Sequence, residues 1–138
     1  MLACTGGKIL TGRWRRQIDA LMPAGIIMRS MNNSYTTVEP SRNEIDALEG
    51  PAVLEFGAAW CGYCRAAQPF IASAFAPYQA IRHIKIEDGK GRPLGRSFRV
   101  TLWPTLIFMK NGREIARLVR PDNAVEIGEA LRKISDAY

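Results

Sequence analysis

The chain has little of what would hold a small secreted fold together or anchor it elsewhere. Only three of its 138 residues are cysteine and one is histidine. No apolar run approaches the roughly eighteen residues that a membrane-spanning helix needs. Cys4, Cys61 and Cys64 are too few and too unevenly spaced to form a disulfide framework, and an odd count leaves one thiol unpaired. His83 is the lone imidazole, so the Cys61/Cys64 pair lacks the second ligand pair that a four-coordinate zinc site requires, and no metal is expected. A phosphate-cradling glycine motif, internal repeats and low-complexity tracts are also missing, so no nucleotide or organic cofactor is implied.

Excess charge is scarce where it would matter. The formal net charge is +6, but Lys8, Arg13, Arg15, Arg16 and Arg29 against Asp19 place +4 of it in residues 1–38, leaving +2 for the rest. Such a balance, without a basic-aromatic cluster, does not fit a nucleic-acid-binding domain. What is present is 47% apolar residues, enough for one core in a chain of this length.

Arg15-Arg16 followed by Ile18, Ala20, Leu21, Met22, Ile26 and Ile27 has the outline of an export signal. Asp19, Pro23 and Gly25 interrupt its apolar stretch. Leu2-Ala3-Cys4 has no room before it for the apolar part of a lipoprotein signal. Residues 1–37 are therefore expected to be a disordered extension, with Met22, Met28 or Met31 as alternative starts, and residues 38–138 the folded domain.

Downstream the punctuation is regular. Ser41-Arg42-Asn43-Glu44 is a capping box opening a short helix to about residue 48. Gly50-Pro51 ends it, and Ala52-Val53-Leu54-Glu55-Phe56 is a buried strand with one carboxylate. Ala66, Ala67, Phe70, Ile71, Ala74 and Phe75 recur at helical spacing, with Pro69 expected to kink that helix. A second strand is predicted over residues 81–86 and a short helix over 94–98. Two further strands flank Asn111-Gly112, a hairpin turn because both positions favour positive φ. Pro121, Asp122 and Asn123 introduce a last helix with Val125, Ile127, Ala130, Leu131 and Ile134 on one face. The order α-β-α-β-α-β-β-α predicts an α/β domain with a mixed four-stranded sheet and helices on both faces.

The chemistry lies in Cys61 and Cys64. Cys61 follows a strand and opens a helix, where unsatisfied N–H groups and the positive end of the helix dipole favour thiolate. Cys64 lies one turn on, on the same face, close enough to close a disulfide and release a substrate from Cys61. His83 is read as a strand-face residue.

Ala59-Trp60-Cys61-Gly62-Tyr63-Cys64-Arg65 after a strand, with Trp103-Pro104-Thr105 further on, resembles the thioredoxin family; the likeness covers roughly residues 39–137. It includes the element order, Pro69 and the Lys110-Asn111-Gly112 hairpin. The resemblance implies a thioredoxin fold, Cys61 as the exposed nucleophile, Cys64 as the buried resolving thiol, and Pro104 as a cis-proline facing them. Glu55, six residues before Cys61, stands where thioredoxins resemble one another in carrying a buried Asp that moves protons for the resolving thiol. Burial is expected to raise its pKa toward neutrality; the alternative is a satisfied or solvent-seeking carboxylate with no such role. Trp60 and Trp103 are expected to form an apolar surface that meets substrate, with Gly62, Tyr63, Pro104 and Thr105 lining it.

Two departures stand out. Gly62-Tyr63 replaces the Gly-Pro of thioredoxin proper and is similar to what periplasmic disulfide isomerases carry, and Arg120-Pro121 stands where thioredoxins usually place a Gly. The resulting expectation is a monomeric, cytoplasmic thiol-disulfide oxidoreductase of the protein disulfide reductase kind. It would act on disulfide-containing proteins and be recharged by an electron-donating reductase, with no nucleic acid or membrane partner. An exported reductase or isomerase, or a non-catalytic client-binding module, are the alternatives.

Overall fold

The computed structural model describes residues 34–135. Its elements are α1 (Arg42–Asp46), β1 (Pro51–Gly57), α2 (Gly62–Phe75), β2 (Arg82–Glu87), α3 (Pro93–Ser97), β3 (Thr105–Lys110), β4 (Arg113–Val119) and α4 (Ala124–Ile134). The first cap forms as the sequence predicts: Ser41 Oγ accepts from the Glu44 N–H at 3.1 Å, and Glu44 Oε1 accepts from the Ser41 N–H at 3.4 Å. At the other end Asn123 Oδ1 accepts from the Glu126 N–H at 2.9 Å, a cap of the kind worth about 1 kcal/mol.

The four strands lie in the order β2-β1-β3-β4, with β1 parallel to β2 and antiparallel to β3, and β4 antiparallel to β3. β1 and β3 are central and covered on both faces, which is why they read as almost unbroken apolar runs. One face carries Val53, Leu106 and Phe108 against Ala67, Ile71 and Phe75 of α2 and Ile127, Leu131 and Ile134 of α4. The other carries Leu54, Phe56, Ile84, Ile107 and Met109 against Ile45, Leu94 and Phe98. Asn111 and Gly112 both take positive φ in the β3–β4 turn, and Gly112 is pressed against the Asp46 backbone where a Cβ could not fit.

Three expectations need correction. Val125 is 68% exposed, because it lies two residues, or about 200° around the helix, from Ile127 at the centre of the buried stripe. Ala66 and Phe70 likewise fall outside the buried stripe of α2, which runs through Cys64, Ala67, Ile71, Ala74 and Phe75. The folded part also begins upstream of residue 38. Thr36 bridges to Ile86, its N–H donating to the Lys85 carbonyl at 2.8 Å and its carbonyl accepting from the Glu87 N–H at 3.2 Å. A single bridging residue leaves no periodicity to read. Cys4, the basic N-terminal residues and the candidate start methionines lie outside the described residues.

Candidate active site

β1 ends at Gly57, a turn follows through Ala58 and Trp60, and α2 starts at Gly62, so Cys61 becomes the N-cap of that helix. Its sulfur accepts from the Cys64 N–H at 3.4 Å. Both thiols are unbonded, Cys61 being 7% exposed and Cys64 1%. Their environments push them apart. Partial burial alone would raise Cys61, but hydrogen bonds from the Cys64 thiol and from the Cys64 and Tyr63 N–H groups, with the Arg120 charge, bring it below the ordinary thiol value. Burial and the neighbouring Cys61 push Cys64 up to about 11. One thiol is thus prepared to attack while the other is held protonated.

Around Cys61 the surface is aromatic. Trp60 is 70% exposed and Tyr63 60% exposed, and Trp60 meets Trp103 edge-on at 5.5 Å between ring centroids. Trp103 is half-buried and pinned from two sides, its indole N–H donating to Asp88 Oδ2 at 2.8 Å and its carbonyl accepting from Arg120 Nε at 2.9 Å. The Trp103–Pro104 peptide is cis and Pro104 is buried. Arg120 holds φ +51°, the left-handed region that explains why a glycine suits this position; its guanidinium lies 3.8 Å over the Tyr63 ring, and its N–H donates to the Pro104 carbonyl at 2.8 Å. Gly62 is exposed with open space where a Cβ would stand.

Thr105 does not join this surface. It is 1% exposed, its hydroxyl donates to the Leu102 carbonyl at 2.6 Å, and its backbone lies in β3 between Phe56 and Val119. Strand alternation turns its side chain inward, where it fastens the loop rather than touching a ligand.

Glu55 is fully buried, and the expected upward shift is reversed. Burial would raise its pKa, but the hydrogen bond and charge of His83, the Lys85 charge and the Tyr35 hydroxyl outweigh it, holding the carboxyl below its ordinary range. The strand register is responsible. Val53 pairs with His83 and Glu55 with Lys85, so the His83 and Lys85 side chains project from the sheet face that carries Glu55. His83 is therefore a partner of the buried acid, not merely a strand-face residue. Tyr35, Gln68 and Lys85 complete the cluster; Tyr35 and Gln68 were invisible to motif reading, since the sequence brings neither near Glu55. The one available signal was three polar side chains, Glu55, His83 and Lys85, at same-face positions of two apolar strands.

Gly57 is where the cluster and the dithiol meet. A Cβ there would stand 2.5 Å from Cys64 Sγ and 2.9 Å from the Tyr35 hydroxyl. Gly57→Ala is accordingly expected to destabilise the protein by about 1–3 kcal/mol, the usual cost of overpacking a filled core. Urea unfolding of the reduced protein measures this; an unchanged midpoint would contradict the packing described.

The thioredoxin family model matches residues 33–133 of the chain. A thioredoxin of Aspergillus fumigatus is 31% identical over 86 residues, covering 62% of this chain and 80% of its own. Among solved structures, thioredoxin 2 of Pseudomonas aeruginosa in its reduced form is 50% identical, with a TM-score of 0.69 over 75% of this chain and 96% of its own. A thioredoxin of Nicotiana alata matches at 26% identity and a TM-score of 0.58, over 73% of this chain and 99% of its own.

Proposed function

The chain belongs to the thioredoxin family and is a thiol-disulfide oxidoreductase, and from that premise we propose that it works as a protein disulfide reductase with Cys61 as nucleophile and Cys64 as resolving thiol. The observation that carries this reading is the asymmetry of the pair. Cys61 Sγ caps α2 beneath an aromatic surface with its thiolate favoured, whereas Cys64 is buried behind it and protonated.

In the reductive direction the Cys61 thiolate attacks one sulfur of a substrate disulfide, and the other sulfur leaves as thiolate. Cys64 then attacks Cys61 Sγ, forming the intramolecular disulfide and expelling the second substrate thiolate. Trp60, Tyr63 and Trp103 offer the apolar contact area for the substrate segment, and Pro104 shapes the loop beside the sulfurs. The substrates are disulfide-containing proteins, and a reductase returns the pair to the dithiol. We assign a monomer working in the reducing cytoplasm, the compartment in which a reductase of this kind stays charged. Among the described residues no helix is long and apolar enough to cross a membrane.

Equilibrium titration of the pair against glutathione, followed by tryptophan fluorescence and thiol alkylation, tests the direction. A potential in the reducing range, about −270 mV as for reducing dithiols of this type, is expected. A value near about −120 mV would instead fit an oxidase or isomerase of an exported protein, and the absence of a reversible disulfide would sink the assignment.

A further inference from the structure

Cations flank the aromatic surface around Cys61 on two sides, and their donors are left open. On one side stands Arg120. Its backbone is held at φ +51°, a region that a residue with a Cβ enters only at a cost, so the position would suit glycine and instead carries a long cationic side chain. That side chain is pinned from two directions, Nε donating to the Trp103 carbonyl at 2.9 Å and the guanidinium lying 3.8 Å over the Tyr63 ring. Its terminal nitrogens keep their N–H groups without an acceptor among the described residues, at an exposed position.

On the other side, beyond Trp103, lies an open groove of about 260 Å³ lined by Asp88, Lys90, Arg92, Arg96, Val100 and Trp103. Trp103 is the shared wall, since its ring meets Trp60 at 5.5 Å while its carbonyl holds Arg120. The acid of the groove is engaged, Asp88 Oδ2 accepting from the Trp103 indole at 2.8 Å. Arg92 is engaged as well, its Nη2 donating to Glu87 Oε2 at 2.8 Å and its Nη1 to the Thr37 carbonyl. Lys90 and Arg96 are exposed and have no acidic partner among the described residues.

We propose that this surface recognises an acidic segment of the substrate protein, with Arg120 taking a carboxylate next to the disulfide and Lys90 and Arg96 taking another further along the segment, past Trp103. The proposal rests on the reading of the chain as a protein disulfide reductase and adds the chemistry of its partner.

Two physical arguments favour that occupant. A guanidinium fixed at Nε and held over a ring presents its terminal nitrogens as a fork, the geometry that binds a carboxylate through two parallel hydrogen bonds, and it has little side-chain freedom left to lose. The place also needs a cation. An acidic segment brought to Cys61 meets charges of its own sign in the thiolate, Asp88 and Asp122; Asp88 is turned to the indole and Asp122 to Asn123 Nδ2 at 3.0 Å, and Arg120 offsets the thiolate, whose charged form it already favours. A basic segment would set like charges against Arg120, Lys90 and Arg96, which slows encounter and weakens binding.

The test uses two peptide disulfides that differ only in carrying Glu or Lys on either side of the cysteine, each with a fluorophore freed from its quencher on cleavage. They react in stopped flow with excess reduced full-length chain carrying Cys4→Ser. Each rate is divided by the rate of the same peptide with dithiothreitol, which removes the intrinsic reactivity of its disulfide. The acidic peptide is expected to react about 10-fold faster at low salt, and the ratio should fall to about 2-fold at about 0.5 M salt, where exposed charges are screened. Arg120→Gln should lose most of the preference, Arg120→Lys should keep much of it, and Arg120→Glu should reverse it. Reversal is a result that loosening the Trp103 loop cannot produce. Lys90→Gln combined with Arg96→Gln should lower the ratio by about 2- to 3-fold.

Equal normalised rates in the parent chain, or a preference that salt does not move, would overturn the acidic partner even if every Arg120 variant failed to fold, and would leave the reductase reading standing. A preference intact in Arg120→Gln would remove Arg120 from the recognition, and one intact without Lys90 and Arg96 would remove the groove. If the chain cleaves neither peptide, the reductase reading fails and the proposal with it.

Discussion

Cys61→Ser is expected to abolish disulfide reduction, whereas Cys64→Ser should keep the first attack and accumulate the protein as a mixed disulfide with its substrate. The difference follows from where the two sulfurs sit. Only Cys61 has its thiolate stabilised by first-turn N–H groups at the head of α2 and lies under the aromatic surface. Cys64 is sealed at 1% exposure and reaches no disulfide except one already on Cys61. Insulin reduction with dithiothreitol as electron source measures the loss, and non-reducing mass spectrometry detects the adduct. Substantial turnover by Cys61→Ser, or an adduct formed by Cys61→Ser in place of Cys64→Ser, would reverse the assignment.

Glu55→Leu is expected to cost about 3–5 kcal/mol, the range for removing one partner of a buried ion pair. The substitution is apolar and near in volume, so the loss would not come from a cavity. It would come from His83, Lys85, Tyr35 and Gln68, all turned toward a carboxylate no longer there. Glu55→Gln preserves the shape and an acceptor for Tyr35 and should cost less.

The pH dependence separates charge from packing. The carboxyl of Glu55 is held below its ordinary value of 4.5 in the folded chain. The folded state therefore binds this proton less tightly than the unfolded state does. The stabilisation is fully present above 4.5 and is lost as pH falls below it, through the lower folded value. Urea unfolding between neutral pH and that acid range should show a steeper loss for the parent protein than for Glu55→Gln. Parallel curves would mean that the carboxylate contributes by shape alone.

Much of the architecture was legible because it rests on local rules. The Ser41 capping box and the Asn111-Gly112 turn are each specified within four residues and form as read, and the last helix starts where Pro121, Asp122 and Asn123 announce it. The central strands announced themselves through unbroken apolar runs, and the dithiol through spacing and its place between a strand and a helix. Where the reading slipped, the direction of a side chain within its own element was the cause. Thr105 looked like part of a motif that meets substrate, but strand alternation buries it. Val125 looked apolar and therefore internal, though helix phase turns it to solvent.

The acid behind Cys64 shows the limit most clearly. From the sequence alone Glu55 was a lone carboxylate in an apolar strand, and burial without partners pushes a carboxyl up. Its actual shift is downward, because parallel pairing of β1 with β2 places His83 and Lys85 on the same face. Tyr35 comes from upstream of the expected domain boundary to fill the remaining place.

The sequence by itself determined the α/β architecture, the family, and the two sulfurs that carry the reaction, since caps, turns, apolar runs and the Cys-x-x-Cys spacing act over a few neighbouring residues. Only the tertiary structure decided the charge state of Glu55, the inward turn of Thr105 and the meeting of Tyr35 with Glu55. Those depend on strand register and on side chains meeting from distant parts of the chain, where electrostatic and packing energies are set by separation in space.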